Sequence, residues 1–425
     1  GPRRMRTARV IPFAFALLLL VPSASAQYTA ADTLQAVVPG LVYKEFSRTM
    51  EGDKEWRVTD PDASYNSGSG STPQDYLPNP VLELDVDDLQ GAIRAVAVID
   101  VWGGHVGTSG KQFRFNDNGW IDIPDVQGTP TAPECYMHQA TMEVEVPIED
   151  LVEGLNVFEG TADRQTCFTF DWGQWGGYGL MLRIYYDPAE RSAPVASIAL
   201  AVDGANLPAT PTVEVDAASA AGIDRVDVIG RYRAYDVDGD GVFQEWQRSY
   251  HLLPGDTAMT LRDHVGSATA SPYAIDWDTT WIPDQDEGSI ELVARVRDAD
   301  GLWTVTDRVT GLSLRRPGVS VQLYEPENVE ERYWERNRWT KSSDFTVPAG
   351  ADLTAAVSAQ LFTRTWNGIN GNALPGEVWW TRLNGWTLPE YGEDHAYSLD
   401  GVDVPIAELR DGSNTVTYFS ESSNH

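Results

Sequence analysis

The chain has 425 residues, with 63 acidic against 31 basic side chains and a formal net charge of −32. A field of that sign repels nucleic acid and anionic membranes, which excludes both as expected partners. The length exceeds the roughly 250–300 residues that one hydrophobic core supports, so two to four domains are expected.

Residues 1–26 read as a signal peptide. Arg3, Arg4 and Arg6 precede an apolar run from Val10 to Val21, and Pro22-Ser-Ala24-Ser-Ala26 supplies the small residues before a cut at Ala26-Gln27. The apolar run is about a dozen residues, short of the roughly 20 that span a bilayer. Export to an extracellular or periplasmic space is therefore expected, with no membrane span further on. In that oxidising setting Cys135 and Cys167, the only cysteines, are expected to pair. The loop they would close is about 30 residues, worth roughly 3 kcal/mol in the chain-entropy account.

Beyond the leader the hydrophobic period is two. Val81-Leu-Glu-Leu-Asp-Val86, Ala95-Val-Ala-Val-Ile-Asp-Val101, Met142-Glu-Val-Glu-Val146 and Ile290-Glu-Leu-Val-Ala-Arg-Val296 alternate or run apolar at strand length, between Gly-, Asn-, Asp- and Pro-rich turns. This predicts an all-β chain: two jelly-roll-like β-sandwich repeats, 27–190 and 317–425, flanking a central immunoglobulin-like β-sandwich, 194–315. The repeats show in spacing. Asp88-Leu89 precedes Trp102 as Asp352-Leu353 precedes Trp366, and Asn118-Gly119-Trp120 is matched by Asn384-Gly385-Trp386. Pro147-Ile148-x-x-Leu151-x-x-Gly154-x-Asn156 is matched by Pro405-Ile406-x-x-Leu409-x-x-Gly412-x-Asn414. His138 and His395 stand before the strands that lead into these turns, where a structural role is expected of both. After Asn156 the first copy runs on to Leu180-Met-Leu-Arg-Ile-Tyr-Tyr186, whereas little follows Asn414. The second copy is expected to lack its last strand, either because the polypeptide continues or because another chain supplies it by β-augmentation.

In the central unit, Asp236-Val-Asp238-Gly-Asp240-Gly241 places alternating carboxylates on a glycine turn, the oxygen-rich arrangement that Ca²⁺ takes. Flanking segments of strand character make it a hairpin tip, not an EF-hand, with Glu245 in reach as a fourth ligand. An ordinary Asp/Gly turn is the competing reading. Asp298 and Asp300 form a second acidic turn. Among 15 tryptophans, Trp102, Trp120, Trp172, Trp175, Trp366 and Trp386 lie in or near polar, Gly- or Asn-rich segments. Indole faces there suit the C–H faces of sugar rings; packing as core anchors is the alternative. No nucleophile elbow, zinc-protease motif or phosphate loop is present. Paired carboxylates for glycoside hydrolysis are assembled in space and leave no local trace.

Arg382-Leu-Asn384-Gly385, Val404-Pro-Ile-Ala-Glu-Leu409-Arg-Asp-Gly412-Ser-Asn414 and Thr415-Val-Thr-Tyr-Phe419, with their first-copy counterparts from Arg114 and Val146, resemble galactose-binding-like jelly rolls. In particular they look like the sugar-binding accessory modules of β-galactosidase-type glycoside hydrolases. The resemblance implies a non-catalytic carbohydrate-binding or cell-surface protein, with a polysaccharide or cell-surface glycan as partner; with the leader and the acidic loop, the expectation is a secreted protein whose central hairpin calcium holds. Two alternatives stand beside it. One is the accessory part of a larger carbohydrate-active enzyme whose catalytic domain lies beyond residue 425. The other is a structural or adhesive subunit completed by strand donation.

Overall fold

A computed structural model describes residues 30–49, 56–63, 72–126, 139–167, 171–251, 259–330, 338–368, 378–393 and 396–421. The leader, Cys135, His138 and His395 lie outside the described residues. No helix among the described residues is long and apolar enough to cross a membrane.

The described chain is β-structure almost throughout. The helix α1 (Ala30–Leu34) precedes β1 (Val42–Thr49), β2 (Trp56–Thr59), β3 (Leu82–Val86), β4 (Ala92–Trp102), β5 (Gln112–Phe115), β6 (Ile121–Asp122), β7 (Gln139–Val146), β8 (Gly154–Thr161) and β9 (Gln174–Tyr186). The central unit holds β10 (Val195–Leu200), β11 (Asn206–Leu207), β12 (Thr212–Ala218), β13 (Ile223–Arg233), β14 (Gln244–Gln247), β15 (Ser249–His251) and β16 (Thr260–Arg262). It continues with β17 (Gly266–Ala268), β18 (Tyr273–Asp276), β19 (Ile290–Asp298), β20 (Trp303–Val305) and β21 (Val309–Leu314). The second repeat holds β22 (Trp339–Val347), β23 (Gln360–Trp366), β24 (Trp379–Leu383), β25 (Trp386–Thr387), β26 (Tyr397–Asp403) and β27 (Gly412–Ser420).

The first repeat is a sandwich. One sheet runs β3-β8-β5-β6, and the strands β1, β9, β4 and β7 lie side by side in the other. Alternate residues meet in a core built on Leu84, Phe113, Phe115, Phe158, Trp175, Leu180, Leu182 and Ile184. Every residue of β9 is buried, as are Ala95 to Trp102 of β4. That is why these two strands read as apolar runs instead of alternating: the second face of the sheet is covered as well. Val96, Val98, Met181 and Tyr185 point away from the first core and pack with Ile229, Trp246, Tyr250, Val293 and Trp303 of the central unit.

The central unit is a second sandwich, with β10-β12-β18 on one side and β13, β19 and β21 on the other, around Val213, Val228, Trp277, Leu292 and Val296. Its sheet does not stop at the unit boundary. Trp303 and Thr304 of β20 pair with Tyr43 and Val42 of β1, so one sheet passes from the central unit into the first repeat.

The second repeat copies the first strand for strand as far as it goes. The sheet β22-β27-β24-β25 repeats β3-β8-β5-β6, and β23-β26 repeats β4-β7. The shared turn explains the shared sequence. Gly154 and Gly412 take positive φ (100° and 86°), a conformation that costs glycine little. Asn156 Nδ2 donates to Val152 O and Gly154 O, and its Oδ1 accepts from Val152 N. Asn414 does the same with Arg410 and Gly412. A second asparagine closes each network: Asn384 donates to Asn414 Oδ1 and Glu408 O, and Asn116 to Asn156 Oδ1 and Asp150 O. This corrects the sequence register, which set Asn118 opposite Asn384. The structural counterpart is Asn116, because the β5–β6 connection is longer than the β24–β25 one. Trp120 and Trp386 are therefore not equivalent either.

Candidate functional site

The strands β13 and β14 form an antiparallel hairpin, and Ala234 N donates to Phe243 O to close the loop between them. Positive φ at Gly239 and Gly241 (77° and 80°) turns three backbone N–H groups inward. Gly239, Asp240 and Gly241 all donate to the Asp236 carboxylate, at 2.8, 3.2 and 2.8 Å. Asp240 Oδ1 accepts from Val242 N at 2.7 Å. The loop thus gathers one carboxylate oxygen from each of Asp236, Asp238 and Asp240 within 4.8 Å of one another. Glu245 enters from the neighbouring strand. Burial, then the charges of Asp238, Asp240 and Asp236, push its carboxyl up to about 9. Burial, then Asp240 and Asp236, push Asp238 up to about 7. Three hard oxygen donors on one loop, whose mutual repulsion a divalent ion would relieve, are a donor set that fits Ca²⁺; the expected fourth ligand, Glu245, lies beside that cluster and not within it.

The loop does not stand at a free tip. Asp238 and Glu245 line a small cleft with Arg248, with Gln139 and Thr141 of the first repeat, and with Arg364 of the second. Beside it Tyr235 stacks on Phe362 of β23, with centroids 4.8 Å apart. All three units meet here. His251 Nδ1 lies 2.6 Å from Asp100 Oδ2 of β4, and its Nε2 lies 2.7 Å from Tyr397 O of β26. Gln139 donates to Asp100 Oδ1 and accepts from the Arg364 guanidinium. Trp102 and Trp366, the two ends of equivalent strands, stack on each other at 6.4 Å.

A second buried polar cluster joins the first repeat to the central unit. Glu45 accepts from Arg183 (3.0 Å) and Arg295 (2.9 Å), both almost wholly buried. Tyr250 OH accepts from the same two guanidiniums at 3.0 and 2.7 Å. Arg295 Nε also donates to Asp227 at 2.8 Å. Burial raises the Asp227 carboxyl, but Arg295 and Arg225 more than offset it and hold it below the usual carboxylate range. Buried charges survive only with such partners. Neither this cluster nor His251 was singled out from the sequence. The available trace was a charged residue, Arg183 or Arg295, inside an otherwise apolar run.

The six tryptophans read as sugar contacts do not converge. Trp175 is fully buried, packed edge-on against Trp56 at 5.3 Å, with Nε1 donating to Thr161 O. Trp172 is buried against His105 and Tyr76. Trp102 is buried in the junction with the half-buried Trp366, and Trp386 packs half-buried on the second core. Only Trp120 of the six is exposed, at 42%, with the Arg114 guanidinium 4.6 Å from its ring. Gly and Asn beside these indoles serve packing: a Cβ on Gly160 would run into the Trp56 ring.

A further aromatic cluster lies outside these six. On the outer face of the β22-β27-β24-β25 sheet, Trp380 stacks on Phe419 at 5.1 Å, with Arg382 4.0 Å over its ring. Arg382 precedes Leu383 and Asn384 as Arg114 precedes Phe115 and Asn116, so the two arginines are equivalent, although their indoles come from different positions, Trp120 from the segment before β6 and Trp380 from β24. Among the described residues no cysteine is free and Cys167 is buried; its expected partner Cys135 is outside them. Asp298, the better buried member of the second acidic turn, accepts from the backbone of Asp300 and Leu302 and caps that turn.

These features define an all-β protein of fused β-sandwich units with an acidic loop at their meeting point. No protein family matches the chain, and no curated protein matches it. Among solved structures, fibronectin(III)-like modules of Clostridium thermocellum CbhA match over 58% of this chain and 90% of that chain. That match has 12% identity and a TM-score of 0.20, too low to carry an argument about function.

Proposed function

We propose that this chain is an exported, non-catalytic glycan-binding protein that uses the outer faces of its two repeats. The observation that supports this is the recurrence of an arginine-backed indole, Arg114 with Trp120 and Arg382 with Trp380. Guanidinium groups bond sugar hydroxyls, and aromatic surface packs on their C–H faces. Hydroxyl groups surround the second pair: Thr387 Oγ1 accepts from Arg382 Nε, and Thr417 lies opposite Arg382 on β27. Calcium belongs to the same reading as a structural ion on Asp236, Asp238, Asp240 and Glu245, and the Cys135–Cys167 bridge as a staple of the first repeat. Affinity electrophoresis through gels containing soluble polysaccharides tests the binding. Retardation reduced in Trp380→Ala and in Trp120→Ala, with the fold intact, is the expected result; no retardation by any polysaccharide, with or without calcium, contradicts it.

A further inference from the structure

The two repeats set an equivalent arginine on the outer face of the same sheet and surround it differently. On β24, Thr381 and Leu383 are buried, whereas Trp380 and Arg382, which alternate with them, are not. On β5, Phe113 and Phe115 are buried, and Gln112 and Arg114 are not. Arg114 lies opposite Glu159 of β8, and Arg382 lies opposite Thr417 of β27. Glu159 and Thr417 are themselves equivalent, each three residues beyond the turn asparagine, Asn156 or Asn414.

The charge balance follows from that exchange. Arg114 Nε donates to Glu159 at 2.8 Å and its Nη2 to Asp117 at 2.7 Å, so the first guanidinium is neutralised twice over. Arg382 donates from Nε to Thr387 Oγ1 at 3.1 Å and lies 4.0 Å over the Trp380 ring, and no carboxylate among the described residues pairs with it. In a chain with 63 acidic against 31 basic side chains, a carboxylate is the ordinary neighbour of a partly exposed guanidinium. Glu145 serves Arg94 in this way, Asp88 serves Arg191, and Asp224 serves Arg297.

The second repeat also holds its cation in place. Trp380 stacks on Phe419 at 5.1 Å with Arg382 over its ring, and the bond to Thr387 fixes the edge of the guanidinium that carries Nε. The two Nη groups form the remaining edge. A planar fork held this way gives up little freedom on meeting an anion with two oxygens to offer. Ser342 and Thr417 continue a row of hydroxyl groups across the sheet from Arg382 and Thr387.

We propose that the outer face of the second repeat selects an anionic sugar unit, its carboxylate or sulfate held by the Nη groups of Arg382, while the first repeat takes uncharged sugar. Arg382 is then the specificity-determining residue of the glycan-binding reading, on which this inference rests. The net charge of −32 narrows the ligand further. It repels a densely charged polymer, but at physiological salt charges act over only about 8 Å. An otherwise uncharged glycan with isolated anionic units meets both conditions.

The test uses the full mature chain carrying Trp120→Ala, so that the face of the second repeat is read alone. The probes are sparsely charged soluble polysaccharides: a glucuronoxylan, a highly methyl-esterified pectin and a lightly sulfated galactan. Each is also prepared without its charge, by carboxyl reduction or desulfation. Biolayer interferometry should show the charged form of at least one polymer bound about tenfold more tightly than its uncharged form, as a charge-assisted hydrogen-bonded pair provides. Preference among the carboxylated polymers or for the sulfated one identifies the anionic group. Arg382→Gln should abolish the preference, and so should Thr417→Glu, which sets opposite Arg382 the carboxylate that the first repeat already carries there. Equal binding of charged and uncharged forms, or a preference that survives both substitutions, would overturn the inference and leave the glycan reading standing. Binding of none of these polymers would overturn it too; the glycan reading falls with it only if the unsubstituted chain binds no polysaccharide either.

Discussion

Substituting Glu45 by Gln removes one carboxylate from between two buried guanidiniums, Arg183 and Arg295, each about 3 Å from it. Both arginines keep other partners: Glu143 lies 3.5 Å from Arg183, and Asp227 2.8 Å from Arg295. The cost should therefore fall at the lower end of the range for breaking a buried ion pair, about 3 kcal/mol. Because Glu45 is on β1 and Arg295 on β19, the loss strikes the sheet that joins the first repeat to the central unit. A cooperative block of that size loses roughly 2 °C of Tm for each kcal/mol, so a fall of about 6 °C is expected. Differential scanning calorimetry reads it directly, and the transition of the joined block should move while that of the second repeat stays. A shift of less than about 1 °C would refute the reasoning, because it would mean that Glu45 is solvated and the pair worth no more than a surface one.

Without calcium, stability should fall as pH rises from about 5 to 9. The folded-state pKa of Glu245 is raised to about 9 and that of Asp238 to about 7, so the folded form holds protons that the unfolded form has already released. Adding calcium should flatten or reverse that slope, and urea unfolding at pH 5, 7 and 9 with EDTA or calcium checks it. Asn156→Ala and Asn414→Ala should each cost about 2 kcal/mol, because each strips a buried turn of several hydrogen bonds. Matched losses in denaturant unfolding are expected, and a tolerated change in either copy would break the equivalence of the two networks. Gly160→Ala should destabilise the first repeat by about 1–3 kcal/mol through collision with the Trp56 ring. Combining it with Trp56→Phe should recover part of the loss in the same assay.

The all-β class and the duplicated units were legible because alternation and turn residues are local signals. The Pro-Ile-x-x-Leu-x-x-Gly-x-Asn turn does the same work in both copies. The Asn register was misread because Asn118-Gly119-Trp120 copies the letters of Asn384-Gly385-Trp386, while the hydrogen bonds follow Asn116. Letters near a loop of unequal length mislead where a network does not. Burial of Trp102, Trp172 and Trp175 stood in the sequence only as the competing reading, for a related reason. Glycine beside an indole marks close packing as readily as an open loop, and nothing local distinguishes the two. The acidic loop was readable as a cluster of carboxylates but not as a meeting point, since Gln139 and Arg364 reach it from about 100 residues away in either direction. Pairing of β20 with β1 was equally invisible, resting on residues more than 250 positions apart.

Affinity electrophoresis of the mature protein on a panel of soluble polysaccharides, beside Trp120→Ala, Trp380→Ala and the double variant, tests the proposed glycan binding most directly. Retardation by at least one polysaccharide, reduced in each single variant and abolished in the double with unfolding curves unchanged, is the predicted result. Retardation that survives both substitutions would place the binding surface elsewhere, and mobility unaffected by every polysaccharide in calcium and in EDTA would contradict the account.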